Sequence, residues 1–536
     1  VARAPEFAPT KVVPGGFETF VYMPWTWQWT IGFDDDAARF CREHGINGGF
    51  LDRGEGPLAW LERHRFPFYC DHTEGKGLLY LRGANNKGNF RRFQQDPRAV
   101  REPALDAEAL AGAKRRVERT VVKVRRSGLC LAYALDDEPS TGAFVVPLPW
   151  RVHGDDAAYA RWLEGLHGRP VEPQWVTPEF TRAQLDRPLK DLDFSPLLDR
   201  MSFNDSVFAN FLGALVEQAN FNDPDVPCGI VGAQNPSLWG GYDYAKLCAK
   251  LQFLEPYDAG SAPEIARSLG RGRVVVASTH FHQDEPGRDS WEAWSRFAHG
   301  QRAMIGWVDD SWFDGTRPRA WLGEFAPTLK ELGGVQGAKL AGARWLHDGI
   351  AIYYSHASVQ VSWVLDSEAH GKTWPNRGSD DLRGTSHLVR KAWENLINDA
   401  GLQYDFLGYD RVLQEGVPEE YGVLVLPACY ALSDAEARRI RAFAERGGRV
   451  VADFMCGLFD QHGRGRARGA LDDLFGVAHD GAERAGDFFG DRLWVETDQD
   501  AGYAAARWGE LPIVEGTTLR DGFSVAERRI EGPVAR

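Results

Sequence analysis

The stretch Gly128-Leu129-Cys130-Leu131-Ala132-Tyr133-Ala134-Leu135-Asp136-Asp137-Glu138-Pro139-Ser140 decides the fold. It opens as a short apolar run, the pattern of a strand buried on both faces. It closes on three consecutive carboxylates and a proline, which cannot continue a central strand. Buried strands do not tolerate unpaired acids. The acids are therefore expected just past the strand's carboxyl end, where parallel barrels keep their reactive groups. The competing reading makes the same acids the cap of a following helix.

Working outward, seven further runs repeat this form. Phe17 to Thr26 is a first strand, ending in Pro24-Trp25-Thr26-Trp27. Asp34 to Glu43 reads as a helix, with acids in its first turn. Gly45 to Leu51 is a second strand, followed by Asp52-Arg53, and Phe66 to Cys70 a third, followed by Asp71-His72. The quoted stretch is the fourth. Cys228 to Ala233 is followed by Gln234-Asn235-Pro236, and Leu251 to Leu254 by Glu255-Pro256-Tyr257-Asp258. Arg273 to Ala277 is followed by Ser278-Thr279-His280-Phe281-His282. Ala303 to Trp307 is followed by Val308-Asp309-Asp310-Ser311-Trp312. Eight strands with polar, aromatic ends and helical stretches between them are the sequence form of a (β/α)8 TIM barrel. It is expected over residues 1–335, with an insertion at about 141–227 that holds a helix ending at Gly168.

Past 335 the pattern becomes strand, helix, strand, helix, strand. The strands are Gly349 to Tyr354, Tyr421 to Pro427 and Arg449 to Phe454. Ser386 to Ala400 is amphipathic, and Ser433-Asp434-Ala435-Glu436 is a capping box. This describes a flavodoxin-like, doubly wound domain over 336–475. It lacks a Gly-rich phosphate loop, so no nucleotide is assigned. Residues 476–536 are expected to be a small β segment or a tail.

Composition narrows the class. The 536 residues are 43% hydrophobic and 26% charged, as in a globular protein with a large core. A net charge of −14 argues against nucleic acid or an anionic membrane as the partner. The 19 Trp and 30 Phe supply planar rings suited to stacking on sugar faces. The seven Cys are scattered without a CxxC pair and read as buried thiols, so no zinc site, no disulfide framework and no other metal or cofactor is expected. No apolar run is long enough to cross a membrane. The chain opens Val1-Ala2-Arg3 without an initiator Met, compatible with a removed leader, and the compartment stays open between secreted, periplasmic and cytoplasmic.

Four segments resemble glycoside hydrolase family 42, the β-galactosidases of clan A. Ala134-Leu135-Asp136-Asp137-Glu138 is similar to the family's fourth-strand motif, which ends in Asn-Glu. Ala158-Tyr159-Ala160-Arg161-Trp162-Leu163, with Gly168 and Trp175, resembles the helix after it. Trp294-Ser295-Arg296-Phe297-Ala298-His299-Gly300, then Gly306-Trp307, resembles the approach to the eighth strand. Val423 through Ser433-Asp434-Ala435-Glu436 to Asp453 resembles the trimerisation domain. The resemblance implies a retaining exo-β-glycosidase acting on an oligosaccharide as a homotrimer, with Glu138 as acid/base. The chain departs from the family in two places. Asp137 replaces the Asn before the acid/base, and the seventh-strand end, Val276-Ala277-Ser278-Thr279, holds no acid.

Glycoside hydrolysis needs a proton donor and, across the anomeric carbon, a base or nucleophile. Glu138 is the first, with Asp136 and Asp137 near enough to raise its proton affinity. For the second, Glu255 is preferred, because an acid directly behind Leu251-Gln252-Phe253-Leu254 needs a reason to be there. Glu285, Asp309 and Asp310 remain rivals. Trp25, Trp239, Trp307 and Trp312 are candidate stacking faces. Asp52, Arg53, Asp137, Gln234, Asn235, Tyr257, His280 and His282 are candidate hydroxyl ligands. Two alternatives stand beside this reading. One is a clan A hydrolase for a different plant or algal sugar, and the other is a carbohydrate-binding relative without turnover.

Overall fold

The structure is a computed structural model that describes residues 5–13, 15–24, 32–75, 105, 107–140, 156–174, 176, 181, 183–238, 240–282, 285, 287–307, 312–314, 317–366 and 385–484. Trp25, Trp239, Asp309, Asp310 and the chain beyond 484 lie outside them.

Eight parallel strands form one sheet in the order β1-β8-β7-β6-β5-β4-β3-β2. They are β1 (Val21–Pro24), β2 (Gly49–Asp52), β3 (Phe68–Asp71), β4 (Cys130–Asp137), β5 (Cys228–Ala233), β6 (Phe253–Pro256), β7 (Val275–His280) and β8 (Ala303–Gly306). The barrel closes between β1 and β2. There the Gly48 N–H donates to Tyr22 O (3.1 Å), and the Asn47 side chain bonds Tyr22 N (2.8 Å) and Phe20 O (2.9 Å). A side-chain amide thus completes a ladder that the backbone leaves short. Inside, Phe17, Met23, Tyr69, Phe253 and Ile305 pack with small residues such as Ala134 and Ala277. Each large side chain contributes about 1.5–3 kcal/mol by leaving water. Gly229 is required where β5 meets β6, since a Cβ there would collide with the Phe253 carbonyl.

The stretch 141–227 holds the helices Asp156–His167 and Ser195–Asn222. The second helix has 28 residues and packs on β4 and β5 in the place of a barrel helix. It carries no single apolar stripe, because most of its faces are covered.

After a two-residue pairing of β9 (Phe313–Asp314) and β10 (Arg317–Pro318), the chain builds a second sheet. Its strands are β11 (Ile350–Tyr354), β12 (Tyr404–Gly408), β13 (Val423–Leu426) and β14 (Arg449–Ala452). They are all parallel, in the order β12-β11-β13-β14, as at the start of a flavodoxin-like sheet. The expected capping box opens the helix Asp434–Glu445: Glu436 N donates to Ser433 Oγ (3.1 Å) and Ser433 N to Glu436 Oε2 (2.7 Å). This domain is seated on the barrel. Ile352, Tyr354, Tyr404 and Phe406 share one apolar cluster with the barrel's outer layer. Arg267 of the barrel bonds Asp405 (2.6 Å) and lies over the Trp345 ring.

Candidate active site

The carboxyl ends of β2, β3 and β4 repeat one device. Each ends in an Asp followed by a non-glycine residue in left-handed conformation: Asp52-Arg53 (φ 52°), Asp71-His72 (φ 47°) and Asp137-Glu138 (φ 52°). Non-glycine residues adopt this conformation rarely, and functional sites are where they collect. The turn stops the strand at each of these three places.

Gly232 of β5 brings the two leading carboxylates together. Its φ is +60°, and a Cβ there would collide with Asp137 Oδ1 and Glu138 Cγ. Its N–H donates to Glu255 Oε2 at 2.6 Å. Glu138 therefore packs on one side of Gly232 while Glu255 bonds its amide. The Glu138 backbone is fixed by its N–H to Val231 O (3.0 Å), and its Oε1 accepts the Tyr257 hydroxyl at 2.6 Å. Burial keeps the Tyr257 phenol protonated, and the charges of Asp137 and Glu255 reinforce this, so Tyr257 acts as donor.

Glu255 lies inside β6, one residue before its end, and is 2% exposed. The sequence reading placed it just after the strand; the strand instead runs through Glu255 and Pro256. Its carboxylate is tolerated because the Gly232 amide and the Thr279 hydroxyl both donate to it. Burial nevertheless pushes its pKa up to about 8, aided by Asp137 and Asp71 and opposed by those two hydrogen bonds. Thr279 stands on β7, so Glu255 leans toward the strand end that carries no acid of its own. The rival Glu285 is 69% exposed at its side chain and pairs with Arg288 on the surface (3.2 Å).

Two residues outside the expected set join the mouth. Asp71 is fully buried, and His72 is 1% exposed and donates from Nδ1 to Asp52 Oδ1 at 2.8 Å. Burial alone would lower the His72 pKa, but Asp71, Asp52 and Asp136 hold it at about 9, so the ring is cationic at neutral pH. Its signal in the sequence was the same Asp-X strand ending that marks Asp137-Glu138.

The other expected residues divide. Gln234 is buried, with Nε2 on Gly232 O (2.7 Å) and Oε1 without a partner among the described residues. Asn235 reaches out of the barrel to His387 of the second domain (3.2 Å). Trp307 is half-buried beside the end of β7. His280 donates from Nε2 to Asp289 Oδ1 (2.8 Å), which leaves Nδ1 to accept the Tyr22 hydroxyl (2.8 Å). Both its nitrogens are committed within the protein, so it orients its neighbours and offers no nitrogen to a ligand. His282 bonds the other oxygen of Asp289 (2.9 Å) and stacks on Trp321. Trp312 has no exposed surface and stacks on Tyr22, so it packs the core here and presents no open stacking face.

The comparisons agree with this architecture. Residues 350–523 match the family description of the β-galactosidase trimerisation domain. The second half of the chain thus carries a domain of that kind. Among solved structures, a family 42 β-galactosidase of G. stearothermophilus superposes with a TM-score of 0.60 at 14% identity, over 87% of this chain and 76% of that one. The β-galactosidase from Rahnella sp. R3 gives 0.59 at 15%, with the same coverage. The family 42 exo-carrageenase from Bacteroides ovatus gives 0.53 at 14%, over 85% and 70%. The chain thus shares the fold of its barrel and second domain with enzymes named for different sugars.

Proposed function

We propose that this protein is a retaining exo-glycosidase that removes a terminal β-linked sugar from an oligosaccharide. The observation that carries the proposal is the pair of carboxylates meeting at Gly232, Glu138 against its α-carbon and Glu255 on its amide. Glu138 protonates the departing glycosidic oxygen while Glu255 attacks the anomeric carbon, forming a glycosyl ester. Glu138 then takes a proton from water, which cleaves that ester with net retention. Tyr257 holds Glu138, and Thr279 with the Gly232 amide holds Glu255. His72, with its positive charge, is placed to bond sugar hydroxyls beside Asp52 and Asp71.

The matched trimerisation domain supports assembly as a homotrimer, which light scattering would check. Among the described residues no helix is long and apolar enough to cross a membrane. The substrate class is a neutral or modified galactoside-like sugar, in line with the β-galactosidases and the exo-carrageenase that share the fold.

One observation favours a second allocation of roles. A carboxyl held protonated near neutrality is suited to donate a proton, so Glu255 as acid and Glu138 as nucleophile is the alternative. One experiment tests both. Intact mass and peptide mapping after incubation with 2-deoxy-2-fluoro glycosyl fluorides should show a stable adduct on the Glu255 peptide. An adduct on the Glu138 peptide would exchange the roles. A panel of sugars that is turned over without any adduct would overturn the retaining mechanism.

A further inference from the structure

Two histidine–carboxylate clusters lie away from the barrel mouth, and they differ in what already fills them. In the first, Asp205, Asp243 and His356 are buried together. Lys246 Nζ lies 3.4 Å from Asp243 Oδ2, and that oxygen also accepts the Tyr409 hydroxyl at 2.6 Å. His356 Nδ1 is bonded to the Tyr354 hydroxyl (3.0 Å). A protein cation already occupies this cluster, and a second cation beside Lys246 would be repelled.

The second cluster holds His167, Asp199 and His462. His167 is the last residue of the helix Asp156–His167, Asp199 lies in the first turns of the helix Ser195–Asn222, and His462 sits in the loop after β14. His167 Nε2 is 2.9 Å from Asp199 Oδ2, and His462 Nδ1 is 2.7 Å from Asp199 Oδ1. One carboxylate thus has an imidazole nitrogen on each oxygen, and the donor atoms all lie within 4.8 Å of one another. The three side chains are only 6–7% exposed. Among the described residues no Lys or Arg forms an ion pair with Asp199. Two imidazoles and one carboxylate are a donor set that zinc-class divalent ions prefer.

The cluster is also held rigidly. Phe194 N donates to Gly463 O (3.0 Å) and Gly465 N to Leu192 O (2.9 Å), which clamps the His462 loop to the start of the long helix. Asp460 Oδ1 accepts the backbone N–H of both His462 and Arg464 (2.9 Å each). The Gln461 side-chain amide lies 2.8 Å from His462 Nε2, an outer partner of the kind that orients metal-ligating imidazoles.

We infer that His167, Asp199 and His462 form a site for a zinc-class divalent transition-metal ion, with a fourth position left to water. The bound ion ties the second domain to the two helices on the barrel side. The inference does not depend on the glycosidase reading.

The test uses the full chain, first stripped with a chelator. Zn²⁺ is titrated in competition with a fluorescent chelator, and Co²⁺ is followed by its visible ligand-field absorption. Wild type should bind one equivalent and show a rise in thermal midpoint with Zn²⁺. Losing an outer-shell partner alone costs about 10–100-fold in affinity, so His462→Gln or His167→Gln should weaken binding by at least about 100-fold. His356→Gln should keep the site. A wild type without cobalt absorption or a bound equivalent overturns the inference, with no variant needed. Equal Zn²⁺ binding by wild type and both ligand variants overturns it as well.

Discussion

The two halves of the barrel mouth use the same strand-end positions and treat their polar groups in opposite ways. On the β4–β6 side, Glu138 stands on a left-handed turn and Glu255 is buried with its proton affinity raised. Their partners, Tyr257, Gly232 and Thr279, are neutral donors that hold the carboxylates without neutralising them. On the β7–β1 side, Asp289 takes one histidine on each oxygen, and Tyr22 takes the remaining His280 nitrogen. The first half keeps strained, unneutralised acids, which is the condition for reactivity. The second half satisfies its ring nitrogens, which is the condition for holding shape.

The largest effect that could break this comparison is on rate. Glu138→Gln and Glu255→Gln should each lower kcat/KM by about 10²–10⁴-fold with the fold intact, measured on an aryl glycoside. Loss of less than that from either would remove that residue from the chemistry. Asp289→Ala should do the reverse. It leaves two ring N–H groups of the shape-holding half without acceptors, at about 1–3 kcal/mol each, read by denaturant unfolding. Its kcat should fall less than about tenfold, and a loss like that of Glu255→Gln would merge the two halves into one site.

A third effect follows from linkage. The Glu255 pKa is raised in the folded state, to about 8, so between its unfolded value and pH 8 the native protein binds more protons than the unfolded chain. This group's contribution to stability is therefore present at low pH and is lost as pH rises through that window. Glu255→Gln should flatten the loss and raise alkaline stability, on the order of 1–3 kcal/mol at pH 8. A wild type whose stability rises from pH 5 to 8 in parallel with the variant would contradict the raised proton affinity of the buried Glu255.

The smallest effect is on the pH profile. Thr279→Val removes a hydroxyl that favours the ionised carboxylate, so the Glu255 pKa should rise further. The acid limb of kcat should then move to higher pH by about one unit. An alkaline limb that moves to higher pH instead would support Glu255 as the proton donor.

How far the sequence could be read depended on what surrounds each element. β5 and β8 were legible almost residue for residue, because strands buried on both faces are continuous apolar runs. β6 and β7 run further than their apolar cores, through Glu255 and to His280, because partners on neighbouring strands satisfy those polar groups. β12 escaped notice: Asp405 interrupts it, and that aspartate makes sense only beside Arg267 of the barrel. The helix Ser195–Asn222 escaped for the opposite reason. Covered on most faces, it shows no stripe.

The sequence by itself determined the strand cores, the capped helix at Ser433 and the acids at the ends of the second, third, fourth and sixth strands. These depend on neighbours a few residues away, through side-chain period and turn chemistry. Only the tertiary structure decided that Glu138 and Glu255 share Gly232, that His280 is fully engaged by Tyr22 and Asp289, and that His72 is charged by three aspartates. Those are long-range juxtapositions. Their chemistry comes from burial and from partners on other strands, which no local pattern of residues encodes.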